Sequence, residues 1–126
     1  EGLLAGTELE NLILYAQALR MKGSGAAACR LLEKVVDCIR GQITDSLEKA
    51  KLQAKTVVGL AGICLEEGEY TDCGALCEEA LEQLRDNDMI LCMPSLFALL
   101  LEVYEKLGQH DQAERITCWK ETLEQV

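Results

Sequence analysis

The stretch Leu60-Ala-Gly-Ile-Cys-Leu-Glu-Glu-Gly68-Glu-Tyr70-Thr-Asp-Cys73 decides how the chain is read. Apolar residues recur at helical spacing up to Gly68. The run stops at a polar turn, and a second apolar stripe opens at Cys73. Two similar stretches lie on either side. One is Tyr15-Ala-Gln-Ala-Leu-Arg-Met-Lys-Gly23 and the other is Leu100-Leu-Glu-Val-Tyr-Glu-Lys-Leu-Gly108. Each ends an amphipathic helix at a glycine and is followed closely by a second helix. A unit used three times points to a helical repeat, an architecture that presents binding surfaces.

Working outward, six helices are predicted in three pairs, at about 7–22, 26–40, 45–67, 72–85, 90–107 and 111–124. Thr7 with Glu10 reads as a capping box opening the first. Gly41 reads as the stop of the second. Asp45 or Thr44 caps the third. The polar break Arg85-Asp-Asn-Asp88 ends the fourth. Pro94 is compatible with a helix only in its first turn, so the regular part of the fifth begins near Met93. No alternating strand pattern occurs, and the fold class is all-α.

Composition agrees with one domain spanning 1–126. The chain is 49% hydrophobic but only 4% aromatic, which implies an aliphatic core. The net charge of −10 divides as zero over 1–41, −6 over 42–86 and −4 over 87–126. That balance argues against nucleic acid, whose phosphates need a basic surface, and fits a partner with basic residues. No apolar run is long enough for a membrane span. The start Glu1-Gly-Leu-Leu-Ala lacks both a Met and a basic segment before an apolar stretch. It reads as an excised piece of a larger intracellular protein, cytoplasmic or nuclear, without a signal peptide.

The seven cysteines are an odd number, and most fall on apolar helical stripes as small packing residues. Cys73 and Cys77 share a helix face but have no further Cys or His to complete a metal site. His110 is the single histidine. No Cys-x-x-Cys, phosphate loop, calcium loop or nucleophile–base pair is visible, so neither a cofactor nor catalysis is expected. The acids Glu66, Glu67, Glu69, Asp72, Glu78, Glu79 and Glu82 read either as a landing site for a basic partner or as a solvated edge.

Aligned on the three glycines, the units resemble the tetratricopeptide repeat. The middle unit carries Leu60, Ala61, Gly68, Tyr70 and Ala80 at its characteristic places, with Cys73 for the usual alanine. The third offers Phe97, Leu100, Tyr104, Gly108 and Ala113. The first offers Leu12, Tyr15, Ala16, Leu19, Gly23 and Ala28. The glycines are 45 and then 40 residues apart, against about 34 in the common repeat. The long variant is similar to that of kinesin light chains and of spindle-orientation adaptors. The closing proline of the common repeat is missing.

The resemblance implies a right-handed superhelical solenoid of three repeats, about 7–41, 44–86 and 90–126. It implies an adaptor or scaffold module that binds a partner helix or peptide along the concave face of the first helices of each pair. The residues it assigns to that face are Ile13, Gln17 and Arg20, then Lys55, Val58, Gly59, Gly62 and Glu66, then Ser95, Ala98, Leu99 and Glu102. Where chaperone-binding members clamp a carboxylate, this chain has Ile13, Gln17, Gly59, Lys55 and Leu99. Only Lys55 is a suitable donor, so a chaperone-tail clamp is not expected.

A second expectation is structural. Ile116, Trp119 and Leu123 suggest that the last helix has an exposed apolar face. The chain would then be a segment of a larger helical-repeat subunit that stacks on neighbouring repeats or self-associates through its terminal helices.

Overall fold

The computed structural model describes residues 6–43, 45–87, 89–90 and 92–125, and all statements on structure concern these. It is all-helical: α1 Gly6–Met21, α2 Gly25–Gln42, α3 Ser46–Glu66, α4 Tyr70–Asp86, α5 Met93–Leu107 and α6 His110–Glu124. No strand occurs among the described residues. None of these helices is long and apolar enough to cross a membrane.

Three turns join the helices into hairpins, and they share one backbone solution. Gly23, Gly68 and Gly108 have φ of +87°, +80° and +71°. In each, the residue after the glycine donates its N–H five residues back: Ser24 to Leu19 at 2.8 Å, Glu69 to Cys64 at 2.8 Å and Gln109 to Tyr104 at 2.9 Å. The glycine N–H bonds to the carbonyl three residues back, on Arg20, Leu65 and Glu105. This is the Schellman arrangement, which satisfies carbonyls left over at a helix end and needs a left-handed residue. In every case the next helix begins two residues after the glycine.

Helix boundaries differ from the sequence expectation where a local signal was overridden. Thr7 lies inside α1. Glu10 does not reach back to a cap; its carboxylate accepts from Lys55 of α3 at 3.2 Å. α2 runs through Gly41 to Gln42. α4 starts at Tyr70, earlier than expected, because the Schellman turn ends at Glu69. Asp45 caps α3, its side chain accepting from Leu47 N–H at 3.4 Å; Thr44 and Asp88 lie outside the described residues. α5 begins at Met93 with Pro94 in its first turn.

Packing is strictly local. α1, α3 and α5 touch in series. α2 lies against α1 and α3, α4 against α3 and α5, and α6 against α5, with one side-chain link from α6 to α4. The core has two parts. Leu9, Ile13, Ala16, Ala28, Leu32, Val35 and Ile39 meet Leu52 and Ile63 in one. Ala54 and Ala61 join residues of α4 and α5, and Ile116 of α6, in the other. α3 therefore serves both and is buried on several sides, down to Thr56, whose hydroxyl donates to the Leu52 carbonyl at 2.8 Å. Such a helix needs small residues to let its neighbours approach. Gly59 shows this: a Cβ there would sit 3.0 Å from a Leu32 methyl.

Of the three apolar residues expected to be exposed on the last helix, one is buried and two are partly buried. Ile116 is 0% exposed, against α5. Trp119 packs edge-to-face on Phe97, with ring centroids 5.4 Å apart and planes at 69°, and Leu123 is partly buried on the same cluster. The exposed residues of α6 are mostly polar and include Asp111, Gln112, Glu114, Lys120 and Glu121. On α1, Leu14 and Tyr15 are each 60% exposed and Met21 88%; Ile90, ahead of α5, is 71% exposed.

Candidate functional site: a trough across three helices

α1, α3 and α5 leave a shallow trough along their common side. One hollow of about 290 Å³ is lined by Glu10, Ile13, Leu14 and Gln17 of α1, Lys55 and Val58 of α3, and Cys92 and Ser95 at the start of α5. A second of about 300 Å³ is lined by Arg20, Val58, Gly62, Ser95, Ala98, Leu99 and Glu102. Val58 and Ser95 belong to both, so the two hollows share a wall. The trough arises because α1 and α5 do not touch each other, while both touch α3.

Ten of the twelve residues assigned from the sequence line these hollows. Gly59 does not: its missing side chain is occupied by Leu32 of α2, and it serves helix packing. Glu66 lines neither hollow but acts on one of them through Arg20. Its carboxylate accepts from the Arg20 guanidinium at 2.6 Å. That guanidinium lies over Gly62, where a Cβ would come within 2.5 Å of an Arg20 nitrogen. Gly62 thus makes room for an arginine from α1, and Arg20 closes that end of the floor. Ile13, though a wall residue, is buried, with 2% exposure.

Sequence reasoning missed Glu10, Leu14 and Cys92. Glu10 lies three residues before Ile13 and Leu14 three before Gln17, so helical spacing could have found them. Cys92 has no such signal. It precedes α5 in a left-handed conformation, φ 68°, which no pattern in the sequence announces for a non-glycine residue.

Most charges of the trough are paired; Glu102 is exposed and has no ion pair among the described residues. Lys55 at 3.2 Å and Lys51 at 3.5 Å both face Glu10. The hydrogen bond from Lys55 and its positive charge hold the Glu10 carboxyl below its ordinary value. Lys55 is therefore already engaged, which weakens it further as a clamp for a partner's carboxylate. What remains open to a ligand is mostly uncharged: Leu14, Gln17, Val58, Ser95, Ala98 and Leu99.

The acidic cluster read from the sequence is dispersed. Glu66 holds Arg20. Glu78 accepts from the Tyr104 hydroxyl of α5 and pairs with Arg115 of α6, tying three helices together. Glu67, Glu69 and Asp72 are exposed at the second turn. Glu79 faces away from the trough, into a cleft between α2 and α4.

Five of the thiols lie in surroundings that favour the protonated form. Burial pushes Cys29 up to about 11, with Glu33 adding to it through a 3.1 Å hydrogen bond. Burial, then the charge of Glu69, pushes Cys64 up to about 11. Burial also raises Cys73, Cys77 and Cys92. At these positions a thiolate nucleophile is disfavoured at neutral pH. No group of three or more His, Cys, Asp or Glu placed to hold a metal occurs among the described residues.

Comparison of the chain with protein-family models, with curated proteins and with solved structures finds no match.

Proposed function

We propose that this chain is a tetratricopeptide-like interaction module of a scaffold or adaptor, which binds a partner helix or extended segment in the trough of α1, α3 and α5. The observation that carries the proposal is the trough itself. Three helices, each first in its hairpin, offer small and apolar side chains along one continuous side, and the charged groups there are largely neutralised among themselves. Such a floor suits apolar side chains of a peptide better than a charged small molecule. The three identical glycine turns and the serial packing of α1, α3 and α5 support a repeat solenoid as its basis.

The test is Ala98→Glu. Ala98 is exposed on α5 and lines the trough, so the substitution introduces charge without disturbing the core. Partners captured by the wild type and identified by mass spectrometry should be lost with A98E, while the helical melt stays the same. Retention of the same partners with A98E would remove the trough from the reading. Gly62→Glu is a weaker probe, because it must also displace Arg20.

A second reading is favoured by one observation, the exposed Leu14, Tyr15 and Met21 on α1. In it the chain is a structural segment that stacks on neighbouring repeats or on another copy through α1. Sedimentation velocity across a dilution series tests it. Tyr15→Glu with Met21→Glu should turn an associating species into a monomer; a wild type that is monomeric throughout counts against it.

A further inference from the structure

On the side opposite the trough, α2 and α4 stand apart, and α3 forms the floor between them. The cleft has a volume of about 280 Å³. Its floor and walls are apolar and half-buried: Val36 of α2, Val57 and Leu60 of α3, and Leu76 of α4. Its rim is acidic. Glu33 and Asp37 of α2 face Glu79 of α4, all three exposed, and Arg40 is the one cation among the lining residues. Among the described residues none of these three carboxylates belongs to an ion pair, and Glu33 accepts from the Cys29 thiol at 3.1 Å. Three acids against one base leave the rim at −2, on a chain whose net charge is −10.

Size and charge together select the occupant. The volume falls short of the roughly 300–1,000 Å³ typical of small-molecule sites, yet it accepts one or two aliphatic side chains. Carboxylates not engaged by a cation beside an apolar floor match a segment that alternates aliphatic and cationic residues. A second copy of this chain is disfavoured, because two molecules of charge −10 repel. The trough uses Lys55, Val58 and Gly62 of α3, whereas the cleft uses Gln53, Val57 and Leu60. The two sites lie on different sides of one helix.

We propose that the cleft between α2 and α4 docks a basic amphipathic helix of a partner protein. Its aliphatic side chains sit on Val36, Val57, Leu60 and Leu76, and its Lys or Arg side chains pair with Glu33, Asp37 and Glu79. The domain then has two independent docking sides, and occupation of one does not require the other.

The probe is a fluorescently labelled helical peptide with leucines at every third or fourth position and lysines between them, followed by anisotropy. Two charge-reversed proteins of equal net charge are compared. One carries Asp37→Lys with Glu79→Lys at the cleft. The other carries Glu114→Lys with Glu121→Lys on the exposed side of α6. The expected result is a loss of about tenfold or more in affinity for the cleft variant and less than about twofold for the α6 variant. A leucine–glutamate peptide should bind the cleft variant and not the wild type, and a lysine–serine peptide should bind the wild type about tenfold more weakly. Equal losses in both variants mean diffuse attraction to an acidic surface and overturn the proposal. So does the absence of saturable binding of the leucine–lysine peptide to the wild type. Loss of binding with Ala98→Glu would put the peptide in the trough and overturn it as well.

Discussion

At the scale of single residues, glycine has four different uses in this chain. Gly68 is required for its φ alone. No atom lies within 4 Å of where its Cβ would be, yet its backbone is left-handed. Gly68→Ala should therefore lower stability by about 1–2 kcal/mol through backbone strain, and Gly68→Asn by clearly less. Gly41 is the opposite case: it lies within α2, with open space around it and an ordinary φ. Gly41→Ala should raise stability by about 0.4–1 kcal/mol. Urea unfolding of the pair checks both signs. Gly59 is required for the approach of α2, and Gly62 leaves room for the flexible end of Arg20. Only the first of these two has a rigidly packed neighbour.

Glu10 supplies a second prediction at this scale. Lys55 and Lys51 lower its folded value below 4.5, so the interaction stabilises the fold while the carboxyl is ionised. The contribution is fully present above the unfolded value and is lost as pH falls below 4.5 through the folded value. Urea midpoints of the wild type and Glu10→Gln should differ at neutral pH and converge in acid. The difference should stay under about 1 kcal/mol and shrink with salt, because the pair is a third exposed.

At the scale of elements, α6 is the least secured. Its backbone packs against α5 only, and Ile116 is its single buried residue. Trp119 on Phe97 and the Tyr104–Glu78–Arg115 contact supplement it. Ile116→Ala should cost about 2–5 kcal/mol, and its first visible effect should be rapid amide exchange confined to α6. Uniform loss of protection across all six helices would show instead that α6 is integral to the cooperative unit. The exposed Asp111, Glu114 and Glu121 make α6 a polar end, while α1 presents Leu14, Tyr15 and Met21 to solvent. The two ends of the helix series thus differ in their exposed side chains, although an apolar hollow lined by Ile90, Met93, Pro94, Phe97 and Leu123 lies beside α6.

At the scale of the whole molecule, α3 joins two core clusters that share no other helix. Leu52 and Ile63 serve one, Ala54 and Ala61 the other. Leu32→Ala and Leu100→Ala, one in each cluster, should each cost about 2–5 kcal/mol and shift the same single transition. Two separable transitions would mean that α3 does not couple the hairpins.

The sequence by itself determined the helix count, the three turns and the residues of α1, α3 and α5 that share a side. These follow from short-range physics: 3.6-residue periodicity and the left-handed φ that glycine alone adopts without strain. Ten of the trough's residues are named through the resemblance to the tetratricopeptide repeat, since spacing fixes which residues share a helix face but not which face is left open. Which neighbour fills the space beside a small residue was decided only in the tertiary structure. Gly59 meets Leu32 and Gly62 meets Arg20, although both are glycines one turn apart. Glu10 turns to Lys55 rather than to its own helix start. Ile116 goes inward while Leu14 and Tyr15 stay out, and the acidic cleft between α2 and α4 exists because those helices do not touch. Each of these depends on the distance between helices far apart in sequence, and such distances come from side-chain packing across the whole fold.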